Sequence, residues 1–154
     1  MNLILWRHAE AEDAEPDLSR RLTPRGRKQA ARVAHWLREN LPERFVVLAS
    51  PATRTRETAD ALEAEYTVDR RLAPDMDVAN YIAAAQWPDG PGEASGTVVV
   101  VGHQPTLGRL ASLLLAGSEQ EWTVRKGAVW WLSTRERSGQ EQVVLRSVVG
   151  PDQL

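Results

Sequence analysis

The chain predicts a three-layer α/β/α fold: a mainly parallel central sheet, helices on its faces, and an antiparallel hairpin at the sheet edge near the C-terminus. Three observations predict it. Leu3-Ile4-Leu5-Trp6, Val46-Val47-Leu48-Ala49 and Val98-Val99-Val100-Val101 are short aliphatic runs that read as buried strands. Each leads into a segment of helical periodicity, and strands alternating with helices form a parallel sheet. Two further strand-like runs, 128–133 and 142–149, flank Glu136-Arg137-Ser138-Gly139 and read as a hairpin.

The elements follow in order. An acidic, loop-like segment runs from residue 10 to 17. Thr23-Pro24 is a helix start, a hydroxyl N-cap followed by proline at the first helical position. Ala30, Val33, Leu37 and Leu41 then recur at helical spacing as far as Pro42, and this helix bridges the first two strands as a right-handed crossover. A second helix is expected over residues 52–65 with Ala59 and Leu62 inward, and Tyr66-Thr67-Val68 is a short strand. Residues 77–87 read as a third helix and residues 88–96 as a flexible loop, rich in Pro and Gly. The four consecutive valines at 98–101 suit a strand buried on both faces. Pro105 opens a helix carrying Leu107, Leu110, Leu113 and Leu114.

At 154 residues, 42% hydrophobic and 26% charged, the chain fits one domain, 1–154, around a single core. A net charge of −2 with interspersed signs gives no case for nucleic-acid binding. No apolar stretch approaches a membrane span, and no basic region precedes the first apolar run as a signal peptide requires. The absence of cysteine excludes thiol chemistry and accords with the cytoplasm, the expected location. The three histidines, His8, His35 and His103, show no metal-ligand spacing, so neither metal nor cofactor is expected. His35 lies inside a helix beside Arg32, Arg38 and Glu39 and reads as structural. Arg20-Arg21, Arg25 and Arg27-Lys28 read as a solvated face, and Trp130-Trp131 suits a core or a partner equally well.

In a parallel sheet the C-terminal strand ends share one edge, where ligands bind. Arg7-His8, Ser50 through Arg54, and Gly102-His103 each follow a predicted strand. Arg7, His8, Arg54 and His103 are therefore expected to converge as an anion site, one that suits a phosphoryl group. His8 is the candidate nucleophile, since an imidazole can take a phosphoryl group and split one difficult transfer into two easier ones. Arg7 and Arg54 offer forked donors to the phosphoryl oxygens. His103 could donate a further hydrogen bond or carry positive charge, and the helix that begins after it favours anions.

These residues carry a resemblance. Arg7-His8 after a strand, Ser50-Pro51-x-x-Arg54-x-x-x-Thr58-Ala59, Gly102-His103 and Leu22-Thr23-Pro24-x-Gly26 together resemble the histidine phosphatase (phosphoglycerate-mutase-like) superfamily, in the right order over residues 3–114. The short chain and the Arg-His-Ala-Glu start look most like its SixA-type phosphohistidine phosphatase branch. The resemblance implies His8 as the phosphorylated nucleophile and Arg7, Arg54 and His103 as the phosphate pocket. Ser50 is expected to hold the strand-to-helix turn.

Two departures stand out. Ala9 occupies a position where relatives commonly have glycine. The acidic motif that many relatives carry between the second arginine and the second histidine has no convincing match. Asp75 falls in that interval and is the candidate general acid; Asp77 also falls there but suits a helix cap. A pocket without a positioned acid suits a leaving group that departs easily. Imidazole does so, because its conjugate acid has a pKa of about 6.5. The leading expectation is a metal-independent phosphatase acting on phosphohistidine in a protein. The runner-up is a small-molecule phosphomonoesterase, favoured if Asp75, Asp77 or Glu10 reaches the bound phosphate. A mutase is disfavoured by the short chain. A non-catalytic phosphate-binding module is the alternative from another class, and the presence of both histidines argues against it.

Overall fold

Strand β1 (Asn2–Arg7) buries both of its faces, and its alternation divides the molecule into layers. In the computed structural model, which describes residues 1–92 and 96–154, Leu3 and Leu5 join one apolar cluster and Ile4 and Trp6 the other. The remaining strands are β2 (Val46–Ala49), β3 (Thr67–Val68), β4 (Thr97–Gly102), β5 (Val129–Arg137) and β6 (Gln140–Val149). They form one sheet of order β3-β2-β4-β1-β5-β6. The first four are mutually parallel, whereas β5 runs antiparallel to β1 and β6 antiparallel to β5. This is the expected fold: mixed α/β, mainly parallel, with the C-terminal hairpin at one edge.

Helix α1 (Pro24–Asn40) packs Val33, Ala34 and Leu37 against Ile4, Trp6, Val99 and Val101, together with Ala59 of α2 (Thr53–Asp60). On the opposite face Tyr81 of α3 (Val78–Ala85) and Leu107 and Leu110 of α4 (Thr106–Ala116) meet Leu3, Leu5, Val98 and Val100. All four valines of β4 are fully buried, as a central strand requires. At roughly 25 cal/mol per Å² of apolar surface, each of these buried aliphatic side chains contributes about 2 kcal/mol before entropy is counted.

Three boundaries differ from expectation. α2 stops at Asp60, short of residue 65, because Ala61, Leu62 and Glu63 donate to Thr58, Ala59 and Asp60 in a tightened last turn, and Glu63 takes φ 58°. That reversal buries Leu62 and turns the chain into β3. α3 covers only the middle of residues 77–87, between Asp77 as N-cap and left-handed Gln86 as C-cap. The hairpin strands run four residues further on one side and two on the other than expected, to a turn with positive φ at Ser138 and Gly139, the hand that suits strand twist. The expected loop over 88–96 lies partly outside the described residues. Among the described residues no helix is long and apolar enough to cross a membrane.

Candidate active site

Three neighbouring parallel strands end in step. Arg7 pairs with Gly102 at the close of β1 and β4, and Ala49 of β2 pairs with Val101. The next residues, His8, His103 and Ser50, therefore emerge side by side at the C-terminal edge. Backbone bonds extend the register: His8 N donates to Gly102 O (3.3 Å) and Ser50 N to Val101 O (3.1 Å). α2 begins three residues beyond Ser50 and raises Arg54 from its first turn. Thr58, one turn further on, ties this helix to the nucleophile strand, since its hydroxyl accepts from Ala9 N (3.1 Å) and donates to Arg54 O (2.8 Å).

Glycine at 102 and 26 is a matter of room. A Cβ at Gly102 would lie 2.6 Å from the Tyr81 hydroxyl, which accepts from His103 N (3.1 Å) and donates to Leu72 O (3.1 Å). A Cβ at Gly26 would collide with the Glu10 carbonyl, while Gly26 N donates to the Thr23 hydroxyl that caps α1 (2.9 Å).

The four expected residues converge. The His8 and His103 rings lie 5.4 Å apart between centroids. Arg7, His8, Arg54 and His103 line one cleft of about 450 Å³ together with Asp17, Arg20, Asp75, Gln104 and Lys126. His8, Arg54 and His103 are only 6%, 5% and 4% exposed. Arg7 donates from Nη1 to Val124 O (3.0 Å). Arg54 donates from Nη1 to Asp17 O (3.0 Å) and from Nη2 to Asp17 Oδ2 (3.1 Å). The buried Nε of each arginine has no partner among the described residues. Both arginines line the cleft, and the Nε–H that each leaves unspent on protein suits a phosphoryl oxygen.

Hydrogen bonding sets the imidazole tautomers. His8 Nδ1 lies 2.7 Å from Ala9 O; a carbonyl only accepts, so Nδ1 carries the hydrogen and Nε2 the lone pair. Burial, then Arg54 and Arg7, push His8 down to about 4 against the opposing pull of the Ala9 bond, so it is neutral at pH 7. His103 approaches Ser50 Oγ through Nε2 (2.7 Å) and Arg54 Nη2 through Nδ1 (3.4 Å). Arginine only donates, so Nε2 holds the hydrogen. Burial, His8 and Arg54 push His103 down to about 3. The resting His103 is thus neither a cation nor a donor toward Arg54, a restriction on the role expected for it.

The acidic residues sort clearly. Asp75 lines the cleft. Asp77 instead caps α3, its carboxylate accepting from Asn80 N (2.9 Å) and Asn80 Nδ2 (2.7 Å). Glu10 accepts from the Thr23 hydroxyl (2.7 Å) and lines a neighbouring cavity. The helix start after His103 is largely occupied: Leu107 N donates to His103 O and Gly108 N to Gln104 Oε1, and Pro105 has no N–H. Ser50 holds the turn as expected, accepting from Ala52 N (3.2 Å), and also holds His103. His35 is exposed and meets Glu39 at 2.9 Å one helical turn on.

Sequence reasoning missed Asp17, Arg20 and Lys126. Asp17 belongs to a short turn, Asp17–Ser19, in the segment read as an acidic loop. Burial is the largest single influence and raises its proton affinity, but Arg54 and Arg20 together outweigh it and hold the carboxylate below its usual range. Arg20 was placed on a solvated face, yet it lines the cleft and reaches Asp17 at 3.3 Å. No periodicity signals such long-range pairs; the signal available was the need of a buried Arg54 for a carboxylate. Among the described residues no group of three metal-ligating side chains gathers.

Comparison with known proteins agrees with this geometry. The family model of the histidine phosphatase superfamily (branch 1) matches residues 3–81. A protein of Nakamurella multipartitia provisionally assigned as phosphohistidine phosphatase SixA is 32% identical, with TM-score 0.79 over 97% of this chain and 95% of that one. The protein histidine phosphatase SixA complexed with tungstate is 28% identical, with TM-score 0.76 over 99% and 98%. An uncharacterized protein of Mycobacterium tuberculosis is 35% identical over 117 residues, 70% of this chain and 68% of that protein.

Proposed function

The chain belongs to the histidine phosphatase superfamily, branch 1, beside its SixA-type members, and from that premise we propose that it removes phosphate from phosphohistidine on a protein through a covalent intermediate on His8. The observation that carries the reading is the His8 tautomer. With Nδ1–H spent on Ala9 O and the ring held neutral by its surroundings, Nε2 keeps a lone pair in a cleft lined by the buried Arg54 and the half-buried Arg7.

The substrate's phosphoryl group accepts from Arg7 Nε and Arg54 Nε. His8 Nε2 attacks phosphorus, a P–N bond to His8 forms, and the P–N bond to the substrate imidazole breaks. The leaving ring takes a proton from solvent on its other nitrogen and departs neutral. Water then attacks phosphorus, the His8 P–N bond breaks, and phosphate leaves with His8 restored. His103 adds charge stabilisation when a phosphoryl dianion offsets the burial and arginine charge that keep it neutral, and its Nδ1 gives up the contact with Arg54 Nη2 to take a proton. Each residue role is part of the proposal, as is a single domain over 1–154.

A trapping experiment tests it. The protein is mixed with a phosphohistidine peptide and quenched, and residue 8 is examined for acid-labile, alkali-stable phosphate. Label on His8, with release lost in His8→Ala, is the expected result. Release that survives His8→Ala rejects the mechanism. Unchanged phosphate affinity without any turnover selects a binding module.

One observation favours a second reading. Asp75 lines the cleft, and a carboxylic acid there would protonate an alkoxide leaving group, as a small-molecule phosphomonoesterase needs.

A further inference from the structure

Beside the phosphoryl cleft lies a second cavity of about 480 Å³, and Lys126 lines both. Its walls include Arg125, Arg25, Trp130 and Val148. The segment carrying Arg125 and Lys126 is fastened to the catalytic strand on both sides. Val124 O accepts from Arg7 Nη1 (3.0 Å), and Gly127 N lies 3.1 Å from Arg7 O and 3.0 Å from His8 O. Trp6 Nε1 also donates to Gly127 O (3.1 Å). The backbone that carries the two cations is therefore fixed relative to the nucleophile, and their exposed side chains reach out from it.

Their side chains have no hydrogen bond or ion pair among the described residues. Arg20, Arg27, Arg54, Arg71 and Arg109, in contrast, each meet a carboxylate. Of the carboxylates lining the second cavity, Glu10 is already engaged by the Thr23 hydroxyl and approached by Arg25 at 3.9 Å, and Asp152 belongs to the C-terminal turn.

The geometry points to this cavity as a leaving-group subsite in which Arg125 and Lys126 take a second anionic group carried by the substrate next to its phosphoryl group. The inference rests on the phosphatase reading and extends it to substrate choice. A phosphoryl group held at His8 leaves the rest of its molecule beside Lys126, and the adjoining walls supply apolar surface in Trp130 and Val148. The anion is a carboxylate or phosphate. It comes either from acidic side chains flanking a phosphohistidine or from a small phosphorylated acid.

Two matched pairs of probes test it. One pair is 4-carboxyphenyl phosphate and phenyl phosphate; the other is a phosphohistidine peptide flanked by Glu and the same peptide flanked by Gln. The native protein is expected to favour the charged member of at least one pair by about fivefold in kcat/KM, through KM, the scale of one partly exposed charge contact. Arg125→Gln collapses that ratio, Arg125→Lys retains it, and raising salt from about 0.02 to about 0.3 M erodes it. Preference confined to the peptide pair assigns a protein substrate; preference confined to the phenyl pair assigns a small molecule. Equal kcat/KM within both pairs overturns the subsite while leaving the phosphatase reading intact. Binding to His8→Ala protein gives the same comparison without turnover. A preserved charge preference in binding with no hydrolysis by the native protein would reject the phosphatase reading and keep the subsite.

Discussion

The two site histidines make folding acid-sensitive over a defined range. His8 is pushed down to about 4 and His103 to about 3, while both titrate near 6.5 when unfolded. As pH falls below about 6.5 the unfolded chain binds protons that the native site refuses, so stability falls with pH. At 1.36 kcal/mol per unit, going from about pH 7.5 to about pH 5 costs roughly 2 kcal/mol for each histidine. Part of the His103 shift comes from His8 itself, so the pair loses at most about 4 kcal/mol, a large share of a typical 5–15 kcal/mol. Asp17, Glu57 and Asp69 are shifted down too, but their stabilisation is lost only as pH falls below about 4.5. The window above about pH 5 therefore isolates the histidines from these carboxylates. The control is the double variant His8→Asn, His103→Gln, whose amides can still donate toward Ala9 O and Ser50 Oγ. Urea unfolding at the two pH values should show a drop in midpoint for the native protein and a drop of less than about 1 kcal/mol for the double variant. Equal losses in the two proteins would refute the assignment.

Three further outcomes follow from the same geometry. Ser50→Ala strips an acceptor from both His103 Nε2–H and Ala52 N; about 2 kcal/mol of stability and about tenfold in kcat/KM should be lost, read by urea unfolding and steady-state kinetics. Gly102→Ala drives a methyl against the Tyr81 hydroxyl that holds His103 N, and it should cost about 1–3 kcal/mol and lower kcat; an unchanged melting temperature would contradict the close contact. Asp75→Asn should lower turnover of alkyl phosphates by about tenfold or more while leaving a phosphohistidine peptide within about twofold; equal effects on both substrates would exclude a leaving-group acid.

What the sequence reveals and what it conceals divide along a physical line. The aliphatic runs at 3–6, 46–49 and 98–101 are legible because a strand buried on both faces tolerates little else, and Thr23-Pro24 because a hydroxyl and a ring fulfil local needs of a helix start. The convergence of Arg7, His8, Arg54 and His103 is legible because parallel strands deliver their ends to one edge. The outer hairpin is not, since Arg135-Glu136-Arg137 pairs only with the opposite strand, past the end of β1, and shows no core-facing alternation. The end of α2 escapes notice because Glu63 adopts a left-handed conformation that no glycine advertises. Asp17 and Ser50 acquire their meaning from Arg54 and His103, partners distant in sequence, and Lys126 from the cleft it lines; composition holds no trace of such placements.

The same cations account for both sides of the proposed chemistry. Arg7 and Arg54 add to desolvation in keeping His8 unprotonated, and an unprotonated ring is what attacks phosphorus. Without an anion, burial first and then the same positive charge deny His103 its proton. In the proposed chemistry a phosphoryl dianion accepting from the two guanidinium groups offsets that charge, and His103 takes its proton only after substrate has arrived. Asp17 limits the field without cancelling it: its carboxylate meets Arg54 at Nη2, and the Nε of that guanidinium remains unpartnered. Its tie to Arg54 also explains why a segment as acidic as 10–17 belongs beside a phosphate site. One carboxylate there orients the arginine, and Glu10 is turned aside to Thr23 at the start of α1. On this reading, acid sensitivity of the fold and readiness of the nucleophile have a single origin, and relieving the first by adding an acidic residue beside His8 would raise its pKa and weaken the second.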